Sequence, residues 1–210
     1  LRDGDVLEVC VTPVPEEAPD TVHLRDRPWA ETSAVVLENA TGRVVALVGG
    51  YDVGLEGFVR ATQALRQPGS AFKPFVYLPA LESGYTPATL ILDAPFVIDQ
   101  GPGLPKWRPD NYTREFYGPS TMRLGLEKSR NLMTVRLAQT VGMDKVAAAA
   151  ERFGVVDKLD PKLSMALGAT ETSPLRLTAA YAMLVNGGKR IAPSLIDRIQ
   201  DRNGRTVFRH

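Results

Sequence analysis

The sequence predicts an α+β domain in which an antiparallel sheet accompanies an α-helical subdomain. Three observations carry that reading. Two β-rich runs, Thr32 to Asn39 and Arg43 to Val48, flank Ala40-Thr41-Gly42 as the strands of a hairpin flank its turn. From Ser120 to Val185, apolar residues recur at helical spacing between recognisable start and stop signals. A second pair, Ile191 to Gln200 and Arg205 to His210, surrounds Asn203-Gly204 and reads as another hairpin.

In chain order, Val6 to Val11 has strand character after the Asp3-Gly4 turn, and the prolines from Pro13 to Pro19 end it. The polar, proline-rich stretch from Pro13 to Pro28 reads as a linker. Residues 1–26 are too few for a core of their own and read as the end of a preceding domain, which leaves 27–210 as the main unit. Val44 to Val48 is continuously apolar, the pattern of a strand covered on both faces. Gly49-Gly50 ends it, and an irregular polar segment leads to Pro68-Gly69, a turn.

Ser70 to Glu82 then carries apolar residues at helical spacing until Ser83-Gly84. Tyr85 to Gly118 has few helix signals and holds Lys106-Trp107-Arg108-Pro109-Asp110-Asn111-Tyr112, a loop long enough to be a functional rim or simply a packed surface loop. Ser120 is placed to cap a helix from Thr121 to Lys128. A break at Ser129-Arg130-Asn131 precedes an amphipathic run from Leu132 to Val141, which Gly142 stops. Asp144 to Phe153 is alanine-rich and ends at Gly154. Ser173 and Pro174 supply an N-cap and first-turn proline for a helix to Val185, with Asn186-Gly187 as its stop. Its expected core stripe is Leu175, Leu177, Ala180, Tyr181 and Leu184.

Composition narrows the chemistry. Across 210 residues, 44% hydrophobic and 23% charged content is ordinary for a globular chain with a sizeable core. Lys+Arg 25 against Asp+Glu 24 gives a net charge of +1, so there is no electrostatic case for nucleic acid as the main partner. Cys10 is the only cysteine, which excludes an intrachain disulfide and a cysteine zinc cluster. His23 and His210 are the only histidines and show no metal-ligand spacing, so a histidine-based triad is disfavoured. No apolar run reaches membrane-span length, and Leu1-Arg2-Asp3-Gly4 reads as the interior of a longer protein.

The chemistry concentrates at Ser70. Pro74 has no N–H to offer the Ser70 carbonyl, so a helix running through it begins at Ser70 or just after. Ser70 then lies among unpaired backbone N–H groups at the positive end of the helix dipole, with Lys73 one turn on. A serine so placed is activated by a neutral lysine, and adjacent amides stabilise an oxyanion. The same letters also fit a capping serine beside a solvated lysine. Ser129 and Asn131 lie beyond the first motif at a helix-to-helix break, and an S-x-N triplet alone specifies no chemistry.

S-x-x-K followed by S-x-N belongs to the signature of penicillin-binding proteins and serine β-lactamases. The runs TGRVVALVGGY, RATQALRQPGSAFKPFVYLPALESGYTPAT, WRPDNY, FYGPSTMRLGLEKSRNLMTVRLAQTVGMDKV and LGATETSPLRLTAAYAMLVNGG resemble the transpeptidase domain of class A penicillin-binding proteins, the 1a kind above all. The resemblance covers residues 27–210; more weakly, residues 1–26 resemble the end of the small β-rich insert that precedes this domain. It implies the penicillin-recognition fold, with Ser70 as acylated nucleophile, Lys73 as its general base, Ser129 as proton shuttle and Asn131 as the group that holds the donor peptide. The implied partners are peptidoglycan stem peptides, a D-Ala-D-Ala donor and an amine acceptor, together with β-lactam antibiotics. It implies no cofactor and no metal. It also implies a periplasmic position on the bacterial inner membrane, through an N-terminal anchor outside this chain.

The family's third motif, K-T-G or K-S-G, has no counterpart after Asn131; Lys189 is followed by Arg190 and Ile191. The expectation is a fold incomplete at the C-terminus, with a partner region supplying the remaining strands, the last helix and half of the oxyanion hole. Alternatives on the same fold are a D,D-carboxypeptidase, a β-lactamase with Glu171 as deacylating carboxylate, or a non-catalytic β-lactam-sensing or partner-binding module. A Ser-Lys hydrolase of another fold is disfavoured by the spread of the agreement along the chain.

Overall fold

The computed structural model of the chain describes residues 9–12, 21–24, 29–51, 57–99, 102–103 and 105–209. Its strands form four antiparallel pairs. The first joins β1 (Val9–Thr12) to β2 (Thr21–Leu24), so part of the expected linker is a strand. Val6 to Glu8 and most of that linker lie outside the described residues. The second pair, β3 (Ala34–Leu37) and β4 (Val44–Val48), is the expected hairpin.

The expectation of two covered faces for β4 does not hold among the described residues. Val35, Leu37, Val44 and Leu47 are half-buried on one face, whereas Val36, Val45 and Val48 are exposed on the other. Among the described residues, the helices that pack against this hairpin leave its outer face uncovered. The polar segment before Ser70 also holds a short helix, α1 (Arg60–Gln63), anchored by the Arg60 to Glu31 ion pair at 2.6 Å.

A 3-10 turn at Gly69–Phe72 runs into α2 (Pro74–Glu82), which has proline in its first turn where no backbone donor is needed. The loop after it contains a strand that the sequence reading left out, β5 (Leu90–Asp93), paired with β6 (Gly118–Thr121). Ser120 therefore sits in a strand. The cap of α3 (Met122–Glu127) is Thr121, whose hydroxyl accepts from Leu124 N. Helices α4 (Asn131–Val141) and α5 (Met143–Arg152) follow, then a 3-10 turn at Leu163–Leu167.

α6 (Pro174–Val185) starts and stops where the sequence indicates, capped by Ser173. Of the expected stripe, Ala180 is buried and Leu177 and Leu184 pack partly buried against the core, while Ala179, Ala182 and Met183 widen the buried face; small side chains there let neighbouring elements approach closely. Tyr181 is more exposed, and its hydroxyl donates to Ala71 O at 2.8 Å. β7 (Arg198–Gln200) and β8 (Thr206–Arg209) form the last hairpin, exposed along its length.

The main core lies among the helices. Phe72, Phe75, Val76, Ala80, Leu137 and Val146 are sealed from solvent, and the Phe75 ring packs against Phe72, Phe153 and Tyr181. α2 crosses α4 and α5 there, so the first turn of α2 and the start of α4 are held by one packed body.

Candidate active site

The turn that carries Ser70 is tied down from the far side of the sequence. Arg66 N donates to Thr172 O, and Thr172 N donates back to Arg66 O, both at 3.0 Å. Gly69 N donates to Gly168 O at 3.2 Å. Gly168 has φ +75°, and a Cβ there would sit 2.7 Å from Gly69 N, so only glycine fits beneath the serine turn. Ser70 itself is exposed. Neither its N–H nor its hydroxyl makes a hydrogen bond among the described residues, which leaves both open toward the surface.

Lys73, three residues on, is in the opposite condition, with 1% of its surface accessible. Its Nζ donates to Ser129 O at 2.5 Å, to Ser129 Oγ at 3.0 Å and to Asn131 Oδ1 at 2.7 Å. An ammonium has three donors, and three acceptors meet them. Burial disfavours the charged form and lowers the pKa of the amine from 10.5 to about 8. Two of the three acceptors can only accept, but the Ser129 hydroxyl can also donate. A neutral Lys73 therefore fits the same cage: two N–H groups stay on Ser129 O and Asn131 Oδ1, and the Ser129 hydroxyl turns its proton to the nitrogen lone pair. The structure thus brings Lys73, Ser129 and Asn131 together. It joins Lys73 to Ser70 through the backbone, Lys73 N donating to Ser70 O at 3.2 Å, with no side-chain hydrogen bond between them among the described residues.

Ser129 holds its position at a cost in backbone strain, with φ +53° in a region that side-chain-bearing residues rarely occupy. That turn lets carbonyl and hydroxyl of one residue face the same amine. Asn131 opens α4, and its Nδ2 donates to Asp110 O at 2.8 Å, which fixes which end of the carboxamide faces Lys73.

Three residues that sequence reasoning did not single out surround this segment. Asn111, buried in the loop before β6, accepts from Asn131 N at 2.9 Å and Leu132 N at 3.3 Å. Its Nδ2 donates to Asp93 Oδ1 and Glu115 O. Asp93 is fully buried at the end of β5, and its second oxygen takes Arg130 Nη1 at 3.1 Å. Arg130 in turn lies 3.7 Å over the Tyr117 ring. The sequence signal was slight: a carboxylate ending the apolar Leu90-Ile91-Leu92 run, and Asn111 within the quoted WRPDNY segment. Glu171, the residue weighed as a deacylating carboxylate, is exposed on the segment that pairs beside Arg66. Among the described residues no group of three His, Cys, Asp or Glu side chains is arranged to hold a metal.

A buried lysine one helical turn from an exposed serine, caged by a serine and an asparagine of a second motif, defines a class of protein. Residues 32–209 match the penicillin binding protein transpeptidase domain family, and the chain belongs to that family. Among curated proteins it is similar to penicillin-binding protein 1A of Rickettsia bellii, 48% identical over 209 residues, covering 100% of this chain and 26% of that protein. Penicillin-binding protein 1A of Neisseria flavescens is 39% identical over 207 residues, with 98% of this chain and 25% of that protein covered. The chain spans about a quarter of the length of these relatives. The crystal structure of penicillin-binding protein 1A from Haemophilus influenzae superimposes with a TM-score of 0.82 at 40% identity, over 90% of this chain and 28% of that one. PonA1 of Mycobacterium tuberculosis in complex with penicillin V gives 0.76 at 26% identity, over 85% of this chain and 50% of that one. The fold is the penicillin-recognition fold, an α+β architecture of helices and small antiparallel sheets.

Proposed function

We propose that this chain carries the nucleophile half of a peptidoglycan D,D-transpeptidase, and that β-lactams acylate it. The observation that carries the reading is the cage around Lys73, a desolvated amine one turn from an exposed hydroxyl. Ser70 Oγ attacks the penultimate carbonyl of a stem peptide ending in D-Ala-D-Ala, and its proton passes to neutral Lys73. The Ser70 N–H, unpaired among the described residues, donates to the developing oxyanion. The tetrahedral adduct collapses as Ser129 delivers a proton to the departing D-Ala amine, and Lys73 reprotonates Ser129. An amino group from a neighbouring stem then attacks the acyl-enzyme, forming the crosslink and freeing Ser70. Asn131 holds the donor backbone.

In this reading residues 27–210 are the N-terminal part of the transpeptidase domain, and 1–26 end a preceding β-rich insert. The whole protein works at the periplasmic face of the inner membrane, on an N-terminal anchor. The support is the family match over residues 32–209 and the likeness to penicillin-binding protein 1A.

The test is incubation of the full-length protein with a fluorescent penicillin, followed by mass mapping of the adduct. A long-lived adduct on Ser70, absent in Ser70→Ala, is the expected result. No adduct, or one on another residue, overturns the nucleophile assignment. Rapid turnover of the adduct favours a β-lactamase or carboxypeptidase.

A further inference from the structure

We infer that Asn111, backed by the buried carboxylate of Asp93, is the positioning residue that locks the Ser129–Asn131 segment against Lys73. The inference rests on the proposed reading of the site for its catalytic consequence, but its structural part stands apart from that reading.

Every acceptor of the Lys73 amine among the described residues belongs to residues 129 and 131. The position of those acceptors is therefore the geometry of the amine. Three anchors fix them from behind, and Asp93 or its loop supplies all three. The Asn111 carboxamide oxygen takes the first two amides of α4, Asn131 N and Leu132 N, which have no partner within the helix. The Asp110 carbonyl, one residue earlier, takes Asn131 Nδ2. Asp93 accepts from Arg130 between the two functional residues and from Asn111 Nδ2, so one carboxylate joins the loop to the break.

No hydrogen bond joins Asn111 to Lys73 among the described residues, and Asn111 lies 20 residues from Asn131 in the chain. Both ends of its side chain are nevertheless used, its oxygen on α4 and its nitrogen on Asp93 and Glu115 O. Aspartate at 111 would keep an oxygen for α4 but set a second carboxylate against Asp93. Asparagine at 93 in the same chain would restore a donor between the two positions. This exchange conserves net charge and nearly conserves volume, although it takes the donor from Glu115 O and leaves Arg130 on a neutral amide, so the recovery it gives is partial.

The experiment compares the wild-type full-length protein, Asn111→Asp and Asn111→Asp/Asp93→Asn. Two readouts are taken: hydrogen exchange of the Asn131 and Leu132 amides without ligand, and the saturating rate and half-saturation of Ser70 acylation by penicillin. In Asn111→Asp the saturating acylation rate should fall on the order of 100-fold with little change in half-saturation, because a displaced catalytic frame costs rate. Both amides should lose protection, and the double variant should regain a measurable part of protection and rate together. Acylation by Asn111→Asp at the wild-type rate would overturn the inference. So would a double variant that recovers thermal stability and amide protection without recovering rate. If wild-type protein is not acylated at Ser70, the functional reading fails by itself, and the exchange data still decide whether Asn111 holds the segment.

Discussion

Two halves of this chain are packed to different depths. Around Lys73 the side chains of Phe72, Phe75, Leu132 and Val135 are sealed from water, and the lysine itself is as hidden as they are. On the β3–β4 hairpin, Val36, Val45 and Val48 keep about half their surface in solvent, and β7–β8 is exposed throughout. The candidate catalytic groups belong to the first half. Burial is what lowers the pKa of this amine, and among the described residues the helical body supplies that burial. The strand side sets no comparable constraint on its own residues.

The largest effect expected is at the centre of the packed half. Lys73→Ala removes the proposed base and leaves Ser129 O and Asn131 Oδ1 without their donor. Penicillin acylation of Ser70 should fall on the order of 1,000-fold. Stopped-flow measurement with a chromogenic cephalosporin checks this, and a fall of only a few-fold would move the base elsewhere.

The same amine makes a pH prediction with two readouts. In the proposed mechanism only the neutral amine can take the Ser70 proton, so acylation should drop about tenfold for each pH unit below the lysine pKa of about 8 and level off above it. The stability term has the same sign. Between about 8 and 10.5 the unfolded chain holds a proton that the folded chain does not, so stability rises with pH across that window. The gain is fully present above 10.5 and is lost as pH falls to about 8. Tyr77, whose pKa burial raises above 10.0, opposes it only in the most alkaline part. Denaturant titrations at pH 8 and 9.5 should differ by roughly 2 kcal/mol from this group.

How far this was legible in the sequence depended on where the constraint lay. α6 could be read at both ends because Ser173-Pro174 and Asn186-Gly187 are local signals for a helix start and stop. The break at Ser129 was legible for the same reason. β5 was not, because its partner β6 contains Pro119 and Gly118, residues that argue against a strand until the pairing is seen. The cage around Lys73 spans 56 to 58 residues of sequence, and Asp93 meets Arg130 across 37. No periodicity reports such contacts. The spacing of Ser70 and Lys73 fitted a capping serine as well as a nucleophile, and the family resemblance singled them out; the sealing of the amine is a property of tertiary packing.

A smaller effect is expected beneath the serine turn. Gly168→Ala places a Cβ against the Gly69 backbone at a left-handed φ, so the turn must shift. A loss of about 1–3 kcal/mol in stability is expected, and acylation should slow because Gly69 adjoins Ser70. A variant that keeps wild-type acylation would show that the serine turn tolerates displacement, and the rigidity assigned to this half would be too strong.

The smallest effect is the most direct probe of the contrast, because one substitution is made in both halves. Val135→Thr buries a hydroxyl at a site with no accessible surface and should cost about 1–3 kcal/mol. Val45→Thr makes the same change on a strand face that is 56% exposed, where the hydroxyl keeps its water and threonine suits the strand. Its cost should stay within about 0.5 kcal/mol. Paired urea titrations read the difference between the two sites, in which the side-chain chemistry cancels and only burial remains. Were Val45→Thr to cost as much as Val135→Thr, the outer face of β3–β4 would have to be packed in solution, and the division between a sealed catalytic half and an open strand half would fail.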